Sequence, residues 1–402
     1  MVHHISKKRA INTDVWTLAK QRVSTAFDLF DTVAVSFSGG KDSTACLNLV
    51  LDEAKERNVK KVRVFFFDEE AIPYQTEEYA RRVSQQAAVD FQWLCIPVRH
   101  RNGCSRDEPW WFPWDPDKRD KWVRSLPVEA ITKLNGFPLR PADRLTIPET
   151  IGLLFDPEKD GSVGMVMGIR ADESLTRTRA ILSGRNRENV HIIPWTDGKA
   201  KNKNIFKVYP VYDWATSDIW TAPKKYGWDY NTGYDVMTAS GIPYSRQRCA
   251  PPYGEEPMLG LYQFAECFPE IWGKMQSRVK GADTAARYAR SVLYSFNSKP
   301  KKPDGMEWEE FIKQWVLKHP QPYAGIIAKR IKTEIQSHYK KTNDPIMQSA
   351  HPLTGVSWEF LLLIAVRGDL KGRKQAAPAL GVSKKAFVKA QQKYDEERAA
   401  HD

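Results

Sequence analysis

The sequence lacks an apolar run long enough to cross a lipid bilayer. Its longest, FLLLIAV, spans only residues 360–366, whereas a membrane-spanning helix needs about 20. The N-terminal stretch MVHHISKKRAINTD carries charge but no apolar core of a secretory signal. We therefore expect a cytoplasmic protein with no membrane partner.

Cysteine is scarce and acidic residues are outnumbered. The 5 cysteines include no CxxC pair, which argues against a disulfide framework and fits reduced thiols. The 61 Lys and Arg against 49 Asp and Glu give a net charge of +12. Such a charge suits a nucleic acid or a phosphate-rich substrate, or is simply a soluble basic surface. At 402 residues the chain is long enough for two or three compact units.

The N-terminal part shows strand and helix patterns in alternation. Val-rich and Phe-rich runs predict strands, and apolar residues at helical spacing predict helices between them. This order predicts an α/β, Rossmann-like parallel sheet with helices on both faces. The predicted strands cover 32–37, 62–67, 91–98, 163–169, 191–194 and 206–211, and the predicted helices cover 12–29, a segment from 43, 76–88 and a segment from about 217.

Two regions depart from this alternation. Residues 100–127 form a Trp-rich insertion, which is either a packed aromatic interior or a platform that stacks a base. We place the nucleotide-binding domain at 1–255 and a basic, helical C-terminal region at 256–402. The last segment, 357–402, is either a helical lid or a helix-turn-helix-like unit that binds DNA or a protein.

The stretch SFSGGKDST at residues 36–44 joins a predicted strand to a predicted helix. Glycines let the backbone approach a phosphate, and the first amides of a helix favour an anion. Lys41 adds charge, while Ser38, Ser43 and Thr44 add hydroxyl donors. Asp42 would repel a phosphate directly, so we expect it to cap the helix or to hold Mg²⁺. The stretch is neither a Walker A motif nor GxGxxG.

SGGKDS resembles the pyrophosphate-binding loop, SGGxDS, of the adenine nucleotide alpha-hydrolase (PP-loop) superfamily. GIRADESLTR at 168–177 and KVYPVYDWATSDIW at 207–220 resemble segments of its phosphoadenylylsulfate (PAPS) reductase family. The resemblance implies a HUP-type fold that binds ATP, or a related adenylate such as PAPS, with Mg²⁺. The implied nucleotide site comprises Ser36, Ser38, Gly39, Gly40, Lys41, Asp42, Ser43, Thr44, Asp68, Gly168, Arg170, Ser174 and Arg177.

Some of these residues keep alternative roles. Arg170 and Arg177 would hold a second anionic group, or instead form salt bridges with Asp172 and Glu173. Asp68 would contact the nucleoside, or only cap the end of its strand. The predicted catalytic set is Lys41, Asp42, Arg170, Arg177 and Cys249, with Asp42 as the metal ligand.

The chain departs from the reductases in its cysteines. It has no Cys after residue 267, hence no C-terminal Glu-Cys-Gly-x-His motif, and it lacks the Cys pairs that hold an iron–sulfur cluster. We therefore expect no such cluster and no reduction by the usual route. Cys249 is either a nucleophile whose pKa is lowered by Arg246 and Arg248, or a buried structural thiol.

RQRCAPPYGEEP at 246–257, followed by a basic helical region, resembles a reductase-like subgroup of phages and mobile elements. That resemblance implies a ParB-like, sulfiredoxin-fold protein partner and leaves a homodimer open. Three functions remain as hypotheses. The first is cleavage of the α–β bond of ATP to adenylate a substrate. The second is a PAPS reductase with an atypical thiol, and the third is a nucleotide sensor that binds DNA or a partner.

Overall fold

The computed structural model describes residues 11–105, 107–174, 177–178, 181, 192–197, 204–251, 253, 260–288, 300, 302–319, 321–368 and 376. The chain divides into two compact units, 1–289 and 290–402. The first unit extends beyond the predicted domain boundary at 255, because the helices after residue 260 pack within it. No helix among the described residues is both long and apolar enough to cross a membrane.

The first unit is built on a six-stranded sheet, which is α/β and Rossmann-like as predicted. Its strands are β1 (Thr32–Phe37), β2 (Val62–Phe67), β3 (Val89–Leu94), β6 (Val163–Met167), β7 (Ile192–Pro194) and β8 (Ile205–Val208). Their order in the sheet is β3-β2-β1-β6-β8-β7, with β7 antiparallel to β8 and the other neighbours parallel. Strands buried on both faces are rich in Val and Phe, as in VRVFFF of β2.

Helices cover one face of the sheet, and the other face is covered by the segment 131–155 with its short helical turns. On the first face, Val33 and Val35 pack with residues of the long helices, whereas Ala34 points to the second face with Phe155. The helices of this unit are α1 (Val15–Leu29), α2 (Lys41–Glu56), α3 (Tyr74–Ser84), α4 (Ile147–Thr150), α5 (Pro157–Asp160), α6 (Thr216–Tyr226), α7 (Gly233–Ala239), α8 (Leu261–Cys267), α9 (Pro269–Arg278) and α10 (Ala282–Tyr288).

The Trp-rich insertion is packed against the end of β2. It contains the two-stranded hairpin β4 (His100–Arg101) and β5 (Trp110–Trp111). The indole of Trp114 is buried and donates to the main-chain oxygen of Asp68 at 2.9 Å. For Trp111 and Trp114, the packed interior is therefore the correct alternative.

The second unit has a separate apolar core formed by three described helices, α11 (Trp308–Leu317), α12 (Tyr323–Tyr339) and α13 (Trp358–Arg367). Ser357 caps α13, because its side chain accepts a hydrogen bond from the amide of Phe360 at 3.1 Å. Most of the predicted helix-turn-helix-like segment lies outside the described residues, so that prediction remains open.

Candidate functional site

The loop between β1 and α2 depends on glycine at residue 39. Gly39 has φ +70°, and a Cβ there would lie 2.9 Å from Cγ2 of Thr76. A side chain is therefore excluded both by conformation and by space. The turn lets α2 begin at Lys41, directly beyond the strand end.

Gly168 brings a second strand end against the same loop. A Cβ on this residue would lie 2.5 Å from the main-chain carbon of Asp42 and 2.6 Å from the amide nitrogen of Ser43. In the sheet, β1 lies between β2 and β6. The order of strands reverses at this point, which is where open α/β sheets bind ligands.

A cavity of about 150 Å³ lies at this loop. The loop contributes Ser38, Gly40, Lys41, Asp42 and Ser43 to its wall, and Gly168 lies in the wall as well. A site for a whole small molecule has about 300–1,000 Å³. The cavity therefore suits the phosphate end of a nucleotide rather than the whole ligand.

The amides of the loop fall into two groups. Those of Gly39, Asp42 and Ser43 make no hydrogen bond to another described residue. The amide of Ser38 donates to Oγ of Ser43 at 3.2 Å, and that of Gly40 donates to Oγ of Ser38 at 3.4 Å. These two partners are hydroxyls, which can rotate to accommodate a ligand oxygen.

The amide of Lys41 donates to the hydroxyl of Tyr234 at 2.9 Å. An anion that takes this amide must therefore displace the Tyr234 hydroxyl. The ammonium of Lys41 is buried and lies 3.3 Å from the carbonyl oxygen of Gln247 and 3.5 Å from Oδ2 of Asp42. Burial lowers the pKa of Lys41. Since an ammonium has three donors, it retains capacity to bind a ligand oxygen.

Asp42 does not cap α2, contrary to the first of its two predicted roles. Gly40 is the N-cap residue, and Asp42 lies in the first helical turn. Its Oδ1 accepts a hydrogen bond from Nε of Arg170, and its Oδ2 faces Lys41. Because both oxygens are engaged by cations, this carboxylate does not fit the predicted role of a Mg²⁺ ligand either.

Arg170 lies beneath the loop and is absent from the wall of this cavity. It is 2% exposed, and it contacts Asp42, the carbonyl oxygen of Trp214 at 3.3 Å and Glu173 at 3.7 Å. This geometry gives Arg170 a positioning role, in place of the predicted contact with a ligand anion. Glu173 also forms an ion pair with Arg177, which does line the cavity.

Five other predicted residues are absent from the wall of this cavity: Ser36, Gly39, Thr44, Asp68 and Ser174. Ser36 lies within β1. The hydroxyl of Thr44 donates to the carbonyl oxygen of Gly40 at 2.9 Å and accepts from Tyr79 at 3.0 Å. Thr44 therefore supports the loop from within the protein.

The Asp68 carboxylate is committed to the protein interior. It accepts hydrogen bonds from the indole of Trp93 at 2.8 Å, from that of Trp114 at 3.3 Å and from Arg124. This arrangement supports its structural alternative, the strand end, and not a contact with the nucleoside.

Cys249 lines the cavity but is not activated. Asn231 donates to its Sγ at 3.3 Å. Burial raises the pKa of the Cys249 thiol to about 11, even though Lys41 and Arg248 act to lower it. Of the two alternatives for Cys249, the buried thiol is therefore supported and the lowered pKa is not, because desolvation outweighs the neighbouring cations.

A second cavity of about 530 Å³ adjoins the first. The two share Glu173, Arg177, Arg248 and Ala250 in their walls. Ser174, which was predicted to bind the nucleotide, lines only this larger cavity. The site is therefore a small polar cavity at the loop that continues into a larger one.

Sequence reasoning missed Glu69, Tyr234 and Gln247. Glu69 lines the smaller cavity, and burial together with the charge of Asp68 raises the pKa of its carboxyl to about 7. The sequence could have indicated Glu69 as a site residue, because the acidic run 68–70 directly follows a strand end. Tyr234 and Gln247 reach Lys41 from about 200 positions along the chain, and no local pattern marks them.

Comparison with known proteins gives consistent family matches. Residues 32–236 match the model of the phosphoadenosine phosphosulfate reductase domain, and residues 241–348 match that of a domain of unknown function (DUF3440). The chain is 30% identical over 330 residues to "Uncharacterized protein YbdN" of Escherichia coli (strain K12), which covers 80% of each protein.

Three solved structures match the chain at low identity and low TM-score. A PAPS reductase from Candida auris, in a phosphate complex, is 14% identical with a TM-score of 0.29, and the match covers 57% of this chain and 93% of that one. An FMN adenylyltransferase from Candida glabrata is 14% identical with a TM-score of 0.31, over 57% of this chain and 63%, just under two thirds, of the other. The U34-tRNA thiolase NcsA from Methanococcus maripaludis, with its [4Fe-4S] cluster, is 11% identical with a TM-score of 0.31. The match covers 73% of this chain and 85% of that one.

Proposed function

The chain belongs to the phosphoadenosine phosphosulfate reductase domain family, and from this premise we propose that it binds ATP and cleaves its α–β phosphate bond to adenylate a second substrate. The observation that carries the proposal is the pair of adjoining cavities. One is lined by the phosphate-type loop and Lys41, and the other is large enough for an acceptor molecule.

The smaller cavity supplies what a pyrophosphate leaving group requires. Unpaired amides at the start of α2, the helix dipole and the Lys41 ammonium all favour negative charge. Arg177 and Arg248 stand where the two cavities meet. In this proposal they stabilise the charge that develops as the bond to pyrophosphate breaks.

Buried pairs keep the loop in place. Arg170 neutralises Asp42, which would otherwise place an uncompensated negative charge beside the phosphates. Gly168 fixes the distance between the end of β6 and the first turn of α2. In this proposal Arg170 does not touch the nucleotide, and both residues act through the position of the loop.

Mg²⁺ is not assigned to Asp42, for the reason given above. Among the described residues of the smaller cavity, Glu69 is a carboxyl without an ion-pair partner. It fits a role as the protein's contact to a Mg²⁺ that arrives with the triphosphate.

The test is to incubate the full-length chain with ATP and a candidate acceptor and to separate the products. Pyrophosphate together with an adenylated acceptor, or with AMP where water hydrolyses that adduct, supports the proposal, whereas ADP with phosphate refutes it. Acceptor panels should include organic acids and polynucleotides. Lys41→Met is expected to weaken ATP binding at least about tenfold, in line with the loss of a charge-assisted contact. Lys55→Met is the matched control, because Lys55 lies in the last turn of the same helix and is exposed.

A sulfonucleotide reductase that uses Cys249 is the second candidate, since this thiol lines the loop cavity. Its raised pKa keeps it protonated at neutral pH, which weighs against attack on sulfur. Incubation with PAPS and a thiol reductant measures sulfite release. This candidate fails if Cys249→Ser releases sulfite as fast as the original chain does.

A further inference from the structure

The larger cavity has an apolar wall built by two helices. Met237 of α7 and Phe264 of α8 are buried in this wall, together with Ile242, Cys267 and Phe268. At about 530 Å³ the cavity falls within the size range of small-molecule sites. An apolar wall of this kind favours the hydrocarbon or aromatic body of a ligand.

The lining of the same cavity also carries cations. Arg177, Arg246 and Arg248 belong to it, whereas Glu173 is the one carboxylate among its described lining residues. Glu173 is already engaged by Arg170 and Arg177. The net charge of the described lining side chains is therefore positive.

Arg248 is held at the junction between the two cavities. Its Nη1 donates to the carbonyl oxygens of Gln247 at 2.9 Å and Ser245 at 3.2 Å. These contacts engage one of the three guanidinium nitrogens, so the other side of the planar group can bind an anion. An anionic group held by Arg248 would lie next to the phosphate cavity.

We propose that the larger cavity binds the acceptor of the reaction, and that this acceptor is an organic anion with an apolar body. Its anionic group, a carboxylate or a phosphate, contacts the arginines, and its body lies against Phe264 and Met237. The role as acceptor rests on the proposed function, whereas the ligand class follows from the cavity alone.

The probe is 1-anilinonaphthalene-8-sulfonate, an aromatic anion whose fluorescence reports binding to the full-length chain. Its matched control is N-phenyl-1-naphthylamine, which has the same aromatic body without charge. Arg246→Gln is expected to weaken binding of the anion about five- to tenfold and to leave the neutral probe unchanged. Equal effects on both probes would overturn the anion assignment.

Whether the probes bind in the larger cavity is tested by blocking that cavity. Ser245 lines it and is exposed, so Ser245→Trp is expected to abolish binding of both probes while ATP binding is retained. Ser277→Trp is the control, because Ser277 is exposed on α9 and lines neither cavity. Unchanged probe binding by Ser245→Trp would overturn the assignment. If this variant does not fold, the result with Arg246→Gln decides.

Competition then separates the two kinds of anion. Octanoate and octyl phosphate should displace the anionic probe at least about tenfold more effectively than octanol does, and their order identifies the preferred head group. Equal displacement by octanol would refute the proposal.

The analysis of products formed from ATP is independent of these probe titrations. Probe binding without release of pyrophosphate from ATP counts against the proposed function alone, and pyrophosphate release without probe binding counts against the cavity assignment alone.

Discussion

Gly168→Ala should move the phosphate loop, and the size of the effect follows from the structure. The added Cβ would lie 2.5 Å from the main-chain carbon of Asp42, whereas ordinary contact begins at 3.4 Å. The atoms nearest to the added Cβ belong to the backbone of Asp42 and Ser43, and no flexible side chain can move away instead. The backbone of the loop must therefore shift by roughly 1 Å. A misplacement of this size costs about 100-fold in catalysis, and overpacking costs about 1–3 kcal/mol of stability.

Two measurements check this prediction. Calorimetric titration with pyrophosphate should show a loss of at least about tenfold in affinity, because the donors no longer converge. The Tm of the first unit should fall by roughly 2–12 °C, from about 2–4 °C per kcal/mol for a domain of this order of size. Unchanged affinity together with an unchanged Tm would refute the close approach of β6 to the loop.

Gly273→Ala is the matched control for this substitution. Gly273 lies within α9, and a Cβ there would meet no atom within 4 Å. Alanine should stabilise the helix by about 0.5–1 kcal/mol, through its better helix propensity. A control that loses as much stability as Gly168→Ala would mean that steric clash is not the cause.

Three further substitutions test separate contacts. Between about pH 4.5 and 7 the folded chain keeps a proton on Glu69 that the unfolded chain has released, so Glu69 destabilises the fold increasingly as the pH rises. In denaturant titrations, Glu69→Gln should therefore increase the free energy of unfolding more at pH 8 than at pH 4.5. A difference that does not depend on pH would contradict this. Tyr234→Phe frees the Lys41 amide and should bind pyrophosphate at least as tightly as the original chain, whereas a tenfold loss by calorimetry would show that the hydroxyl itself binds the ligand. Arg278→Met leaves the buried Glu70 carboxylate without its bidentate partner at 2.8 and 2.9 Å, so denaturation should show a loss of about 3–5 kcal/mol, with less loss when Glu70→Gln is added.

Regular elements were predictable where burial and pattern agreed. The strands 32–37 and 62–67 are observed at the predicted positions, because runs of Val and Phe suit central parallel strands. The third strand was predicted at 91–98 but is observed at Val89–Leu94. Beyond it the amide of Cys95 pairs with the carbonyl of Ile131 in the covering segment, and Pro97 has no amide to donate.

Helix ends followed local chemistry in a similar way. The region from residue 256 was predicted to be helical, and within it the structure ends one helix at Cys267 and begins the next at Pro269. Proline lacks the amide needed inside a helix but suits its first position. Asp14 accepts a hydrogen bond from the amide of Thr17 at 2.9 Å and so caps α1.

The loop was predictable and its surroundings were not. Glycines, a lysine and hydroxyls within one short segment predict a phosphate-type loop, and the structure places this segment between β1 and α2. Which carboxylates face a ligand depends instead on packing between distant segments. Asp42 and Asp68 both look available in the sequence, yet Arg170 engages the first and Trp93 and Trp114 engage the second.

The acidic run 68–70 shows how the insertion and the site are connected. Asp68 and Glu70 turn toward the insertion, where Glu70 accepts hydrogen bonds from the amide of Trp114 at 2.6 Å and of Val123 at 3.2 Å. Glu69, between them, lines the phosphate cavity. Glu70 adopts φ +60°, a conformation that costs free energy in a residue other than glycine. The hydrogen bonds of its neighbours in the insertion offset that cost. The Trp-rich segment therefore holds the residues on either side of Glu69, the carboxyl that lines the cavity.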